Sequence, residues 1–283
     1  MRLRRLLTPV LAGALGLVAC TSPQKPDDPS AQGGEQNGSQ AGGGFDVSAM
    51  IEAQPTLALG PGAQVGWRAT QQLKAAGQTL VNSYAIVGQT ADSWQVERVD
   101  FFLSGLAGSP EAAGMLIGLT VRKEDGVVTA AVVGRAGEAG KPIKVGQAQP
   151  ASQSTVSDED AKLKIGTYPA RKHVTEDAQG TTTSWVGHGG DLNGVLLKTE
   201  GAGGDYELAR EPSDTQLTVG ATTINVTEYT YTNGRTDWIA AGEPILAVLS
   251  PAGDGRAVVK SVTGDTTTEF VQLGRDARPQ LKW

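Results

Sequence analysis

Apolar and polar residues alternate along most of the chain beyond about residue 60. In "VGWRATQQLK", residues 65–74, apolar side chains such as Trp67 and Ala69 alternate with polar ones such as Arg68. A period of two is typical of a half-buried β-strand. The same pattern predicts fourteen short strands, at 63–74, 79–88, 93–103, 116–123, 127–134, 163–174, 181–187, 195–200, 205–210, 222–231, 236–240, 245–249, 256–262 and 267–273.

Turn dipeptides separate several of these strands. Asp or Asn followed by Gly is favoured in tight hairpins because both residues adopt positive φ. This pair occurs at Asp125-Gly126, Asn193-Gly194, Asn233-Gly234 and Asp254-Gly255. Short helices are expected only near 46–52 and in "GSPEAAGMLIG", where Ser109 is a cap and Pro110 fits the first helical position. The chain is therefore predicted to be mainly β, with antiparallel sheets in a twisted half-barrel or a sandwich and little helix.

The first twenty residues follow a different pattern. Three arginines precede an apolar stretch, Leu6 to Val18, which is shorter than the ~20 residues that span a bilayer. Residues 1–19 therefore indicate a secretory signal. The ending "LVAC" closely resembles the lipobox of bacterial lipoproteins, in which Leu, a small or apolar residue and Ala or Gly precede Cys. The resemblance implies that Cys20 carries diacylglycerol on its sulfur after cleavage before it, and usually an acyl chain on the new amino group.

Lipid on Cys20 would place the protein in the cell envelope. One acyl chain binds a membrane only marginally, whereas two or three chains anchor a protein stably. In the lipoproteins that this ending resembles, an Asp directly after the cysteine retains the protein at the inner membrane. This chain has Thr21 at that position. The resemblance therefore favours the outer membrane.

Composition divides the rest of the chain. Residues 21–44 contain no aromatic or branched aliphatic side chain, so they are expected to form a disordered tether after Cys20, spanning roughly 25–30 Å. Two related β units are expected, at 45–147 and 163–283. The polar segment 148–162 is either a linker or a long surface loop, and a sheet that continues across it is a further alternative.

Charge and cysteine content narrow the function. Removing the signal segment with its three arginines changes the formal net charge from −6 to −9. Nucleic acids and anionic lipid surfaces are bound by clusters of Lys and Arg, which this sequence lacks, so nucleic acid is not expected as a partner. Because Cys20 is the only cysteine, a disulfide within one chain is impossible and stability depends on the core.

The second β unit contains an internal repeat. The first copy consists of "IGTYPARKHVTEDAQGTTTSWVG" and "NGVLLKTEGAGGDYELARE". The second copy consists of "INVTEYTYTNGRTDWIAAG", "LAVLSPAGDGRAVVKSV" and "TTTEFVQLGRD". Trp185 in the first copy matches Trp238 in the second. The first copy, residues 165–210, also resembles a group of bacterial envelope proteins of unknown function. Those proteins are thought to be related to the half-open β-barrels of the periplasmic lipoprotein carriers LolA and LolB.

Residues suited to catalysis are few. His173 and His188 have no partner at the spacing of a zinc site, and no metal or cofactor is expected. His188 and Asp191 could join a serine in a hydrolase triad, but the chain has no "GxSxG" elbow. "GRAGEAGKP" lacks the first glycine and the Ser or Thr of a phosphate-binding loop. The acidic run at 157–160 is expected to be a solvated loop.

Five tryptophans supply the largest apolar side chains: Trp67, Trp94, Trp185, Trp238 and Trp283. The first four are expected in the core, or lining a concave sheet open to an acyl chain or an unfolded lipoprotein. Trp283 is expected to pack as a terminal plug or to meet a partner.

The sequence therefore favours a lipid-anchored, noncatalytic envelope protein that binds or assembles with an apolar or polypeptide ligand. A structural protein whose sheet edges contact other envelope components is the alternative, and an extracytoplasmic hydrolase is a third.

The lipidation of Cys20 has a direct test. We expect Cys20→Ser to abolish incorporation of labelled lipid and to release the protein from the membrane fraction, because serine provides no thiolate for the lipid transfer. Metabolic labelling and cell fractionation measure both effects. Unchanged fractionation of the variant would contradict the prediction.

Overall fold

The computed structural model describes residues 50–57, 59, 62–106, 113–147, 153–177, 180–202, 204–241 and 256–283. Cys20, the tether and the strand expected at 245–249 lie outside these ranges. The Asp254-Gly255 turn and residues 46–49 and 108–112 of the two predicted helices lie outside them as well.

The described chain is mainly β, and the predicted fold class is confirmed. One helix, α1 (Phe101–Leu106), lies between the fourth and fifth strands, and one 3-10 turn covers Gly190–Leu192. The strands are β1 (Glu52–Ala53), β2 (Arg68–Ala75), β3 (Gln78–Gln89), β4 (Ser93–Val99), β5 (Met115–Arg122), β6 (Val128–Arg135), β7 (Lys141–Pro142), β8 (Lys144–Val145), β9 (Gln153–Asp158), β10 (Ala161–Leu163), β11 (Gly166–Tyr168), β12 (Ala170–Asp177), β13 (Gly180–Gly187), β14 (Leu196–Gly201), β15 (Tyr206–Glu207), β16 (Ser213–Val219), β17 (Thr222–Thr230), β18 (Thr236–Ala241), β19 (Arg256–Thr263) and β20 (Thr266–Gly274).

Two antiparallel sheets contain most of these strands. The larger has eleven strands in the order β16-β17-β18-β19-β20-β2-β3-β4-β5-β6-β7, and the smaller has five in the order β15-β14-β13-β12-β9. β1 and β8 form a short parallel pair, and β10 and β11 form a hairpin. Within the described residues, neither of the two larger sheets closes on itself.

The sheets do not divide where the sequence pattern placed the boundary between two β units. β20 pairs with β2, from Arg68 opposite Gly274 to Lys74 opposite Thr267. β16 to β20 therefore continue the sheet of β2 to β7, as the alternative of a continuous sheet allowed. Residues 153–158, inside the segment expected to be a linker or loop, form β9.

Helical structure also differs from the sequence pattern. Residues 101–103 were expected to end a strand, but they begin α1, where Asp100 Oδ1 accepts the Leu103 N–H at 2.8 Å. Met115, expected in a helix, begins β5. The apolar run "MLIGLTV" supplies buried residues to a sheet, including Ile117 and Leu119, and this packing outweighs the helix-start signal before it.

A turn is present at each described Asp-Gly and Asn-Gly pair, but only the glycine has positive φ, whereas the prediction required positive φ of both residues. Gly126, Gly194 and Gly234 have φ of 71°, 79° and 82°, the positive values that glycine adopts without strain. In the first turn, hydrogen bonds from the Arg122 guanidinium hold the pKa of Asp125 at about 2.

One face of β4 to β6 forms a hydrophobic core beneath the start of the described chain. Val96, Ile117 and Leu119 are almost fully buried there, and Ile51 and Leu57 pack in the same cluster. The segment is held by its backbone as well, because the Leu57 N–H donates to the Gly126 carbonyl at 2.8 Å.

The opposite face of β4 to β6 is covered by the C-terminal tail, residues 275–283. Successive residues of a strand point to opposite faces, so Glu97 faces away from the core that holds Val96. The Glu97 carboxylate is 3% exposed and accepts the N–H groups of Gln280 and Leu281, with three contacts of 2.8–3.0 Å. A buried carboxylate therefore fixes the backbone of the tail.

The Leu281 side chain packs against the sheet at two glycine positions. A Cβ atom added to Gly118 would lie 3.1 Å from Leu281 Cδ1 and 3.0 Å from Trp283 Cη2, and one added to Gly134 would lie 3.3 Å from Leu281 Cδ2. Leu281 is buried, whereas Trp283 remains 41% exposed. The expectation that Trp283 forms a terminal plug or meets a partner therefore stays a prediction.

A second core connects the five-stranded sheet to β17. Trp185, Leu197 and Leu208 pack there with Tyr229 and Tyr231. The Tyr231 hydroxyl donates to the Leu196 carbonyl at 3.1 Å, and burial strongly raises the pKa of this tyrosine. Leu208 also forms an isolated bridge with Tyr231, so the end of β15 continues directly onto the larger sheet.

Replacement of Glu97 tests the attachment of the tail. We expect Glu97→Ala to lower the free energy of unfolding by about 2 kcal/mol, because buried N–H groups left without an acceptor are costly. Chemical denaturation measures the loss, and faster amide hydrogen exchange at Gln280 and Leu281 would accompany it.

Glu138→Ala is the matched control. Glu138 is exposed, and its backbone carbonyl, which the substitution retains, accepts the Lys282 N–H. We expect a change within about 0.5 kcal/mol. Equal effects of the two substitutions would show that the loss of an acidic charge, and not the loss of an acceptor, is responsible.

Candidate functional site

Trp185 and Trp238, matched by the internal repeat, occupy equivalent positions in their sheets. The ladder between β13 and β14 shifts register directly after Trp185, and the ladder between β18 and β19 shifts directly after Trp238. The extra residue in each β-bulge is an aliphatic side chain, Leu197 or Val259, and both are buried. The two strand pairs therefore bend in the same way.

A lysine lies opposite each of these tryptophans. Lys198 pairs with Trp185 and Lys260 pairs with Trp238. Their Nζ atoms lie 5.2 Å and 5.5 Å from the ring centroids, within the range of cation–π attraction. Lys172, on the other side of Trp185, adds a third such contact at 5.4 Å.

A continuous row of charged and aromatic side chains crosses the larger sheet at Trp238. Its members are Arg210, Glu228, Trp238, Lys260, Glu269 and Lys74. The Trp238 indole N–H donates to Glu228 at 3.0 Å, and Glu269 lies 2.8 Å from Lys74 Nζ and 3.5 Å from Lys260 Nζ. The hydrogen bond from Lys74 is the main cause of the lowered pKa of Glu269.

The charged side chains in this row are paired with one another. Each carboxylate in it contacts a cation or the indole N–H, and the exposed Trp238 surface is partly covered by Lys260. Side chains arranged in this way stabilise the pairing of neighbouring strands, so the row contributes to the stability of the sheet.

The four tryptophans expected in the core, or along a concave binding surface, pack against other residues of the same chain. Trp67 and Trp185 are 6% and 7% exposed, whereas Trp94 and Trp238 are half-buried. The Trp94 ring is covered by Lys123 Nζ at 4.4 Å. None of these four rings is a freely exposed surface.

The candidate catalytic residues lie on β12 and in the connection that follows β13. His173 lies on β12, where burial and, to a smaller degree, Arg171 lower its pKa, and its Nδ1 has no hydrogen-bond partner. His188 is exposed in the turn after β13, and Asp191 lies in the 3-10 turn that follows. In the part of the chain that the structure describes, no cluster of His, Cys, Asp and Glu could hold a metal ion.

The open edge of the five-stranded sheet is the feature that sequence reasoning missed. β9 pairs with β12 from Gln153 opposite Glu176 to Asp158 opposite Arg171, and no other described strand pairs with it. Its six residues contain neither Pro nor Lys, two devices that protect exposed edges from pairing. "QSTVSD" carries no apolar alternation, so only its β-branched Thr155 and Val156 could have signalled a strand.

The register shows which backbone groups of β9 have no partner among the described strands. The Glu159 N–H, just beyond β9, donates to the carbonyl of Ala170, its opposite residue, at 3.0 Å. Hydrogen-bonded pairs alternate along an antiparallel ladder, so Thr155 and Ser157 also point their N–H and C=O groups to β12. The N–H and C=O groups of Ser154, Val156 and Asp158 point outwards.

Side chains at this edge are compatible with a partner strand. Val156 is 56% exposed, and two of the three acidic residues that follow it are paired within the chain. Asp158 lies 3.6 Å from Arg171, and Glu159 lies 3.1 Å from Lys172. The acidic run was expected to be a solvated loop, but its first two residues are exposed strand.

The other described sheet edges differ in length and exposure. β7 has two residues, Lys141 and Pro142, and Pro cannot donate to a neighbouring strand. β15 also has two residues and leads into the Leu208 bridge. β16 has seven residues and is exposed along most of its length, and only Gly220, just beyond its end, approaches Val271 of β20. Among the described strands, β9 and β16 are thus the two long edges with a single neighbour, and β9 is the long edge of the five-stranded sheet.

Comparison with known proteins adds no assignment. No protein-family model matches the chain, and no curated protein is significantly similar to it. None of the helices among the described residues has the length and apolar character needed to cross a membrane.

Proposed function

We propose that this chain is a lipid-anchored, noncatalytic protein of the bacterial cell envelope, held at the outer membrane, that assembles with an extended polypeptide along β9. The observation that carries the proposal is the outward row of backbone N–H and C=O groups on Ser154, Val156 and Asp158. Addition of a strand to a sheet edge is a common mode of peptide recognition.

The strength of such binding comes mainly from the backbone. A strand added to β9 forms up to six hydrogen bonds with the three outward residues, and each contributes about 0.5–1.5 kcal/mol net. The exposed Val156 side chain adds apolar contact on one face. This favours an extended polypeptide over a rigid folded surface as the ligand.

A polypeptide is better supported than an apolar ligand. The apolar alternative requires large side chains that line an open concave surface. Trp67 and Trp185 are buried, and Trp94 and Trp238 are covered by lysines of the same chain. The side chains that suggested an acyl-binding surface are therefore already engaged.

Anchoring complements this role. The lipobox resemblance at Cys20 and the polar segment 21–44 support a folded part held near, but clear of, a membrane. An anchored module confines its open strand edge to the layer in which other envelope proteins lie.

A photo-crosslinker at the edge tests the proposal. We expect p-benzoylphenylalanine at Thr155, in the full-length chain in cells, to form a polypeptide adduct on irradiation. Val156→Pro should reduce that adduct at least fivefold, because proline removes the outward N–H at the centre of the edge without removing a hydrogen bond to β12. Immunoblotting measures the adduct.

Two controls make the result specific. Val156→Thr keeps both the N–H and the β-branched shape and should retain the adduct. The same crosslinker at Thr181, exposed on the same face of the sheet but on the interior strand β13, should give none. Absence of an adduct at Thr155, or equal adducts with Pro and Thr at position 156, would overturn the proposal.

A further inference from the structure

We infer that the polypeptide at β9 is a second copy of this chain, paired antiparallel through β9 of each copy about a twofold axis at Val156. The inference rests on the proposed function, since it requires that β9 accept a strand. It names the partner from the geometry of the edge.

Symmetry restricts how two copies can pair. A twofold axis perpendicular to the sheet relates the two strands without exchanging the two faces of the sheet, so residues that oppose each other must have side chains on the same face. Because side chains alternate between faces, one residue must then lie directly opposite its own copy in the second strand. The central residue is therefore Thr155 or Val156 in the middle of β9.

The outward hydrogen-bonding groups select Val156. With the axis at this residue, Val156 opposes Val156 of the second copy, and Ser154 opposes Asp158 of the second copy. All three outward residues of each strand then lie in hydrogen-bonded pairs, giving six backbone hydrogen bonds. An axis at Thr155, whose N–H points to β12, leaves Asp158 outside the paired region and gives four.

The side chains match in the same register. The two Val156 side chains, each 56% exposed in one copy, come into contact at the axis. Ser154, whose Oγ is buried within its own copy, lies opposite Asp158 and brings no second charge to that pair.

Electrostatics do not oppose the pairing. Asp158 faces Ser154 and not another carboxylate, and like charges directly opposite are the destabilising case. Asp158 and Glu159 are also compensated by Arg171 and Lys172 of their own chain. The acidic run therefore brings little uncompensated charge to the axis.

The pairing joins two five-stranded sheets into one of ten strands. Such an interface uses the same residues on both copies and closes after two, so it removes the open β9 edges without leading to fibres. Its area is small, and attachment of both copies to one membrane supplies the effective concentration that a small interface needs.

A cysteine at the axis tests the inference. We expect Val156→Cys, in the full-length chain in native membranes, to give a disulfide-linked dimer on mild oxidation, at least fivefold above the unsubstituted chain. Hydrogen-bonded pairs have Cα atoms about 5.5 Å apart, within the 4.4–6.8 Å that a disulfide requires. Thr181→Cys, and Thr215→Cys on the exposed strand β16, are the matched controls and should stay at background.

The mass of the Thr155 photoadduct is the second measurement, and it does not depend on a new cysteine. An adduct of twice the chain mass supports the inference. An adduct of another mass, with no Val156→Cys dimer, overturns the inference but leaves the proposed function standing. Absence of any adduct removes both. Equal dimer formation at Thr181 or Thr215 would show random collision and would overturn the inference.

Discussion

Backbone hydrogen bonding across antiparallel sheets that do not close is the constraint on which the rest of this structure depends. Each interior strand directs alternate N–H and C=O groups to its two neighbours, whereas a strand with one neighbour leaves half of them without a partner in the sheet. Among the described strands, β7 and β15 limit this exposure by being short, and the end of β16 lies against β20. β9 has neither of these protections, so in the described chain its outward backbone groups have no partner in the sheet.

The same need for partners explains how the chain ends are held. The start of the described chain covers one face of β4 to β6, and the C-terminal tail covers the other. Glu97 supplies the acceptor that the sheet itself cannot provide for the N–H groups of Gln280 and Leu281. Gly118 and Gly134 provide the space for Leu281. The larger sheet is thus packed on both faces along these strands by its own chain.

Much of the fold could be predicted from sequence because alternation and turn residues are local signals. Most strands and the turns at Gly126, Gly194 and Gly234 follow from them. The repeat around Trp185 and Trp238 was also visible, and it extends to the bulges and the opposed lysines. The pairing of β20 with β2 was not predictable, since it joins residues about 200 positions apart and leaves no local trace.

The candidate site was much less predictable than the fold. Sequence reasoning selects side chains with chemical character, such as His173, His188 and the tryptophans, but the structure gives these no common site. The open edge depends on backbone groups that every residue has, in a strand that is almost entirely polar. Which of them point outwards follows only from the register with β12, set by the hydrogen bond from Glu159 to Ala170.

Amide hydrogen exchange along β9 tests the central claim most directly. In the membrane-anchored full-length protein, the account predicts that the amides of Ser154, Val156 and Asp158 exchange as slowly as those of Thr155 and Ser157, because both sides of the strand are bonded. Exchange-quench NMR resolves the five amides. Persistent alternation, with the three outward amides exchanging freely while the two inward ones are protected, would contradict the account.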